Sequence, residues 1–136
     1  MLIKALQRLI APSLGLSSIS KVHRALACIV QDLVQSSLLA LGIDVIDLGL
    51  STTPTVEVAV PLEAANGGII LTASHNPKQW NALKLLNEKG EFVSAEEGKT
   101  ILDLAANEDF NYASIDDLGK IIPNKDSLEK HIQAIL

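Results

Sequence analysis

Apolar residues along this chain follow two rhythms that alternate. From Lys21 to Leu41, Val22, Leu26, Ile29 and Leu33, with Val30, Val34, Leu38 and Leu41 beside them, trace a broad stripe at helical spacing. Gly42 supplies a stop, so the pattern predicts a helix over 21–41. Ile43-Asp44-Val45-Ile46-Asp47-Leu48, closed by Gly49, is a short β-rich run and predicts a strand. Thr53 as cap and Pro54 in the first turn predict a second helix from Pro54 to about Ala65, kinked at Pro61 and ended by Asn66-Gly67-Gly68. Ile69 to Thr72 is the next strand. Helix and strand in alternation build an α/β layer structure on a mostly parallel sheet, which binds ligands at the carboxyl ends of its strands.

The flanks are less regular. Met1 to Ile10 has Leu2, Ile3, Leu6, Leu9 and Ile10 at helical spacing in a segment short enough to be strand as well, and Ala11 to Ser20, with Pro12, Gly15 and four serines, reads as a loop ending in an N-cap at Ser20. Ala82 to Leu86 and Glu91 to Val93 pair as a hairpin across Asn87-Glu88-Lys89-Gly90, with Gly90 suited to positive φ. Ser94 and Glu97 form a capping box that opens a helix to about Ala106. Residues 107–124 are polar and broken by Gly119 and Pro123, after which Asp126 caps a last helix bearing Leu128, Ile132, Ile135 and Leu136. No later element covers that stripe, so a domain boundary or a partner surface is expected there.

Composition narrows the function classes. The 136 residues, 48% hydrophobic and 20% charged, suit one domain with a modest core. A net charge of -5 with eleven scattered basic residues argues against a surface for a phosphate backbone, so no nucleic-acid partner is expected. Lys4, Gln7 and Arg8 interrupt the apolar N-terminus, which leaves neither a signal peptide nor a membrane span; a cytoplasmic address fits. Cys28, the single cysteine, reads as a small core residue.

Chemistry concentrates after the strand Ile69 to Thr72. Ala73-Ser74-His75-Asn76-Pro77 puts a hydroxyl and an imidazole into a loop at a strand end, and Lys84 follows ten residues after Ser74. Taken alone, a serine beside a histidine is an ordinary turn more often than a nucleophile, and Lys84 reads equally as a solvated strand lysine. Asn76, Pro77 and Asn81 suit the loop's shape, since asparagine tolerates unusual turn dihedrals and proline fixes φ. Trp80 suits packing at the loop or a cover over its mouth.

The full string Gly67-Gly68-Ile69-Ile70-Leu71-Thr72-Ala73-Ser74-His75-Asn76-Pro77, with Trp80-Asn81-Ala82-Leu83-Lys84, closely resembles the phosphoserine loop of the α-D-phosphohexomutases. That family contains phosphoglucosamine mutase, phosphomannomutase and phosphoglucomutase. The resemblance implies that Ser74 carries the phosphoryl group and through it contacts Mg²⁺, that His75 and Lys84 serve catalysis, and that Asn76, Asn81 and Arg24 bind substrate. The implied reaction interconverts hexose 6-phosphate and hexose 1-phosphate through a bisphosphate. Phosphoryl transfer of this kind rests on positioning and charge stabilisation.

The likeness runs from about Val30 to Leu136, departing mildly at Ala82, where the family more often has glycine, and strongly over 1–29. Leu2-Ile3-Lys4 stands for the family's start and Arg24 for its second arginine, while the helix and strand between them read as deleted, so a sheet strand is expected to be lost. The implied fold is one α/β unit, an αβα domain with a mixed, mostly parallel sheet. The family's Asp-Gly-Asp-x-Asp metal segment is not among these 136 residues, and Asp116-Asp117 and Glu96-Glu97 lack its alternating spacing. The implied partners are hexose phosphate and hexose bisphosphate, with self-association or mutase domains on another chain to complete the unit, and the chain alone is expected to be inactive. The alternative is a non-catalytic relict or a phosphosugar-binding or interaction module.

Overall fold

The computed structural model describes residues 16–21, 27–72, 82–107 and 111–136, and of residues 16–21 and 27 the backbone alone. Five strands form one sheet: β1 (Leu16–Lys21), β2 (Asp44–Leu50), β3 (Gly67–Thr72), β4 (Ala82–Leu86) and β5 (Ile121–Pro123), in the order β4-β3-β1-β2-β5. β1 runs parallel to both β2 and β3, β5 parallel to β2, and β4 antiparallel to β3. The helices are α1 (Ala27–Ala40), α2 (Thr53–Leu62), α3 (Ala95–Ala106) and α4 (Ser127–Ile135).

The α/β class with a mixed, mostly parallel sheet is therefore as the sequence implied. The expectation for the N-terminal region fails: Leu16–Lys21, read as loop and the start of a helix, is the central strand, so the strand read as lost is in place. Its serines favour turns as local sequence, but a strand with parallel neighbours on both sides has its backbone groups paired, and that tertiary context overrides propensity. The expected helix over 21–41 begins, among the described residues, at Ala27.

The strands' alternation sorts their side chains onto two faces. On one, Val34 and Leu38 of α1 pack on Ile43, Val45, Ile69 and Leu71. On the other, Val56, Ala59 and Val60 of α2 pack on Ile46, Leu48, Ile70 and Leu86. Leu85 extends the first face to Ile101 and Ala105 of α3. Cys28 is exposed on α1, outside the core assigned to it.

Several ends differ from expectation in instructive ways. Thr52, one residue before the expected cap, takes the N-cap of α2, its hydroxyl accepting from the Thr55 amide at 3.3 Å. α2 stops at Leu62, one residue past Pro61, earlier than the glycines. There the Ala65 amide donates to the Val60 carbonyl and the Ala64 amide to the Pro61 carbonyl, a Schellman closure with Ala64 at φ 50°. Gly67 and Gly68 belong to β3 instead.

In β2 the register on β1 slips after Ile19↔Asp47, with Ser20 opposite Gly49, which makes a bulge at Leu48 with Gly49 at φ 61°. Asp47 fixes it, Oδ1 accepting from the Gly49 amide at 2.9 Å and Oδ2 from Gln31 Nε2 at 3.3 Å. Residues 107–124 were expected to be irregular; within them lie a 3₁₀ turn, Ile115–Asp117, and β5. Asp126 takes the N-cap place of α4 without a side-chain capping bond.

Candidate functional site

Because β1, β2, β3 and β5 are parallel, their carboxyl ends share one edge of the sheet. β3 ends at Thr72, two residues before Ser74, and β1 ends at Lys21, three before Arg24; the pairing Lys21↔Leu71 brings these two exits side by side. β4 starts at the same edge, Ala82 opposite Thr72, so Lys84 sits opposite Ile70, two residues into the strand. Ser74, His75, Asn76, Asn81 and Arg24 themselves lie outside the described residues, as do Pro77 and Trp80.

Lys84 is therefore the one sequence-proposed site residue whose surroundings are on view. Its strand is anchored by the ladder to β3, every residue of which is buried. Lys84 is half-buried, and its Nζ stands 5.4 Å from the centre of the Phe92 ring. Sequence reasoning passed over Phe92. Eight residues from Lys84, it has no local signal, and only the register of the hairpin, with Leu86 opposite Phe92, puts the ring on the lysine's side of the strand.

Further along the edge, an open pocket of about 720 Å³ lies at the ends of β2 and β5, lined among others by Asp47, Gly49, Thr52, Asn124, Lys125 and Leu128. Its walls are tied together: the Asn124 amide donates to the Asp47 carbonyl at 2.9 Å, and Asn124 Nδ2 donates to Glu63 Oε1 at 2.9 Å. Lys130 of α4 pairs with the same Glu63 oxygen, and His131 Nδ1 shares a hydrogen bond of 3.0 Å with the buried Thr55 hydroxyl. Polar contacts thus fix α4 on α2, leaving Leu128, Ile132 and Ile135 exposed.

Among the described residues no three His, Cys, Asp or Glu side chains gather to hold a metal ion. The implied Mg²⁺ is thus not fitted by them. Nor, among them, is any helix long and apolar enough to cross a membrane.

A mostly parallel sheet whose parallel strands end at one edge, where a lysine-bearing antiparallel strand begins, defines an α/β domain. Comparison with known proteins identifies which one. The pattern of the phosphoglucomutase/phosphomannomutase alpha/beta/alpha domain I matches residues 19–112, and the chain belongs to that family. A phosphoglucomutase/phosphomannomutase of Thermococcus kodakarensis is 36% identical over 105 residues, covering 77% of this chain and 23% of that protein. A phosphoglucosamine mutase of Methanococcus maripaludis is 29% identical over 118 residues, 87% of this chain and 26% of its own length. A crystal structure of a Thermus thermophilus protein, described as a phosphomannomutase, superposes with a TM-score of 0.79 at 28% identity, over 99% of this chain and 31% of that one. The chain thus spans about a quarter of the length of these curated relatives.

Proposed function

We propose that this chain is the phosphoserine-bearing domain of a phosphohexomutase, most like phosphoglucosamine mutase, acting between hexose 6-phosphate and hexose 1-phosphate. The observation that carries this reading is positional. Within the family match, the buried strand β3 ends two residues before Ser74 in the chain, and that strand end lies beside the end of β1, three residues before Arg24, and the start of β4, which bears Lys84.

In this reading the bond from phosphorus to Ser74 Oγ breaks as a bond to the sugar hydroxyl forms. The hydroxyl loses its proton, the serine oxygen regains one, and Lys84 handles that traffic; the bisphosphate then returns its other phosphoryl group to Ser74. Splitting the exchange across a covalent intermediate makes two easier steps of one hard one. His75, Asn76, Asn81 and Arg24 hold the sugar phosphate. Mg²⁺ would be contacted through the phosphoryl group of Ser74 and would require carboxylate ligands that the described residues do not gather.

The expected outcome for the chain alone is therefore phosphorylation of Ser74 without appreciable turnover. Withholding about 4 kcal/mol of charge stabilisation slows a step roughly a thousandfold. A coupled assay on glucosamine 6-phosphate and mannose 6-phosphate with Mg²⁺ and a bisphosphate, beside intact-mass analysis of wild type and Ser74→Ala, tests this. Turnover abolished by Ser74→Ala would show that one domain suffices; equal labelling of both proteins would remove Ser74 from its role. No labelling of either would favour the relict or phosphosugar-binding alternative.

A further inference from the structure

The turn between Asn87 and Phe92 is braced far more heavily than a surface hairpin requires. Asn87 Oδ1 accepts from the amides of Lys89 and Glu91, each at 3.0 Å, while the Asn87 amide donates to the Glu91 carbonyl at 2.9 Å. Gly90, at φ 78°, presses so closely on α2 that a Cβ there would stand 2.0 Å from the Glu57 carbonyl oxygen. That carbonyl is the one whose helical donor would be residue 61, and Pro61 has no N–H to give it. The far side of the turn is fixed by the Leu86↔Phe92 bridge and by the Val93 amide donating to the Leu85 carbonyl at 3.1 Å.

What this bracing delivers is one ring. Phe92 is half exposed, at 50%, so it is not there to fill the core, and its centre lies 5.4 Å from Lys84 Nζ. Within about 6 Å an aromatic face attracts an ammonium through its quadrupole, and the contact costs neither partner a full desolvation. A carboxylate would hold the ammonium too, but would also take one of its charge-assisted hydrogen bonds. Neither of the two ion pairs among the described residues involves Lys84. The ring restrains the long side chain and leaves its three donors for another acceptor.

We propose that Phe92 is a positioning residue for Lys84, holding its ammonium through a cation–π contact on the face of β4 that it shares with Leu86. This rests on the reading of Lys84 as the proton-handling group of the phosphoserine site, and the tests separate the two. Competitive acylation of the 136-residue chain by trace acetic anhydride, read lysine by lysine by mass spectrometry, measures how firmly the ring holds the amine. Phe92→Leu is expected to acylate about two- to fivefold faster at Lys84, with Lys99 and Lys120 as unchanged internal standards and Phe92→Trp restoring the slow rate. An unchanged rate in Phe92→Leu, or no rescue by Phe92→Trp, overturns the contact.

The second arm follows phosphorylation from glucose 1,6-bisphosphate by intact mass. Slower labelling in both Lys84→Met and Phe92→Leu, rescued in Phe92→Trp, supports the inference. Slower labelling in Lys84→Met alone overturns it while sparing the reading of Lys84. Unchanged labelling in Lys84→Met removes that reading, and the positioning role with it.

Discussion

The pair Ile69-Ile70 in β3 and the pair Ile121-Ile122 in β5 are the same dipeptide in two strands that end at the same edge. Their fates are opposite: the first pair is 0% and 1% exposed, the second 47% and 42%. Intrinsic hydrophobicity is equal, so neighbours decide. β3 has β1 and β4 along its edges and helices over both faces, whereas β5 pairs with β2 alone, and α4 turns its polar side inward. The molecule closes its core around the strand that leads to Ser74 and leaves its C-terminal rim apolar and open.

The largest effect that would break this contrast is on stability. Ile70→Ala removes side-chain volume between Val60, Leu86 and their neighbours and is expected to cost about 2–5 kcal/mol, while Ile122→Ala is expected to cost less than about 1. Urea unfolding of the two variants decides it: equal losses would mean that β5 is covered in solution, for instance by a second copy of the chain. Sedimentation of the Ile122→Asp variant against wild type would then show whether that cover is self-association.

A middle case lies in α3, which covers the sheet beside β4 through a satellite cluster. Its start is a complete capping box: Ser94 N–H donates to Glu97 Oε2 at 2.6 Å and the Glu97 amide donates to Ser94 Oγ at 3.2 Å. Ser94→Ala is expected to cost about 1 kcal/mol, between the two isoleucines. The bond from the Ser94 amide, foremost, holds the Glu97 carboxyl below its ordinary value of 4.5. A carboxyl lowered on folding stabilises the fold above its unfolded pKa and loses that contribution as pH falls through the folded one. Wild type should therefore lose stability relative to Glu97→Gln as the pH drops below 4.5, and parallel curves for the two would remove the carboxylate from the cap.

How much of this was legible in sequence follows from the same contrast. Val34 and Leu38 of α1, the strands β2 and β3, the hairpin and the capping box were readable because local propensity and burial agree there, whereas Ile29 and Leu33 of the expected stripe are exposed, at 58% and 63%. β1 was not, because Leu16-Ser17-Ser18-Ile19-Ser20-Lys21 looks like a loop until two parallel neighbours claim its backbone. β5 was not, because Pro123 and Gly119 outweighed two isoleucines in a polar stretch. Of the site, the strand end before Ser74 and the strand bearing Lys84 were readable as pattern. Phe92 was not, because its contact depends on hairpin register rather than on composition.

The smallest effect sharpens the contrast at the entrance to β3. Ala64 holds φ 50°, the left-handed region, where a Cβ costs an ordinary residue roughly 1–2 kcal/mol. It stays there because the Schellman closure of α2 leads within three residues into a strand whose every position is buried, and the register on β1 and β4 leaves the turn no freedom to relax. Glycine removes the clash but adds freedom to the unfolded chain, which returns part of the gain. Ala64→Gly is thus expected to stabilise by about 0.5–1 kcal/mol, raising the urea midpoint with an unchanged slope. A lowered midpoint would mean that the turn is not strained, and that burial of β3 is not what sets the conformation of the chain entering it.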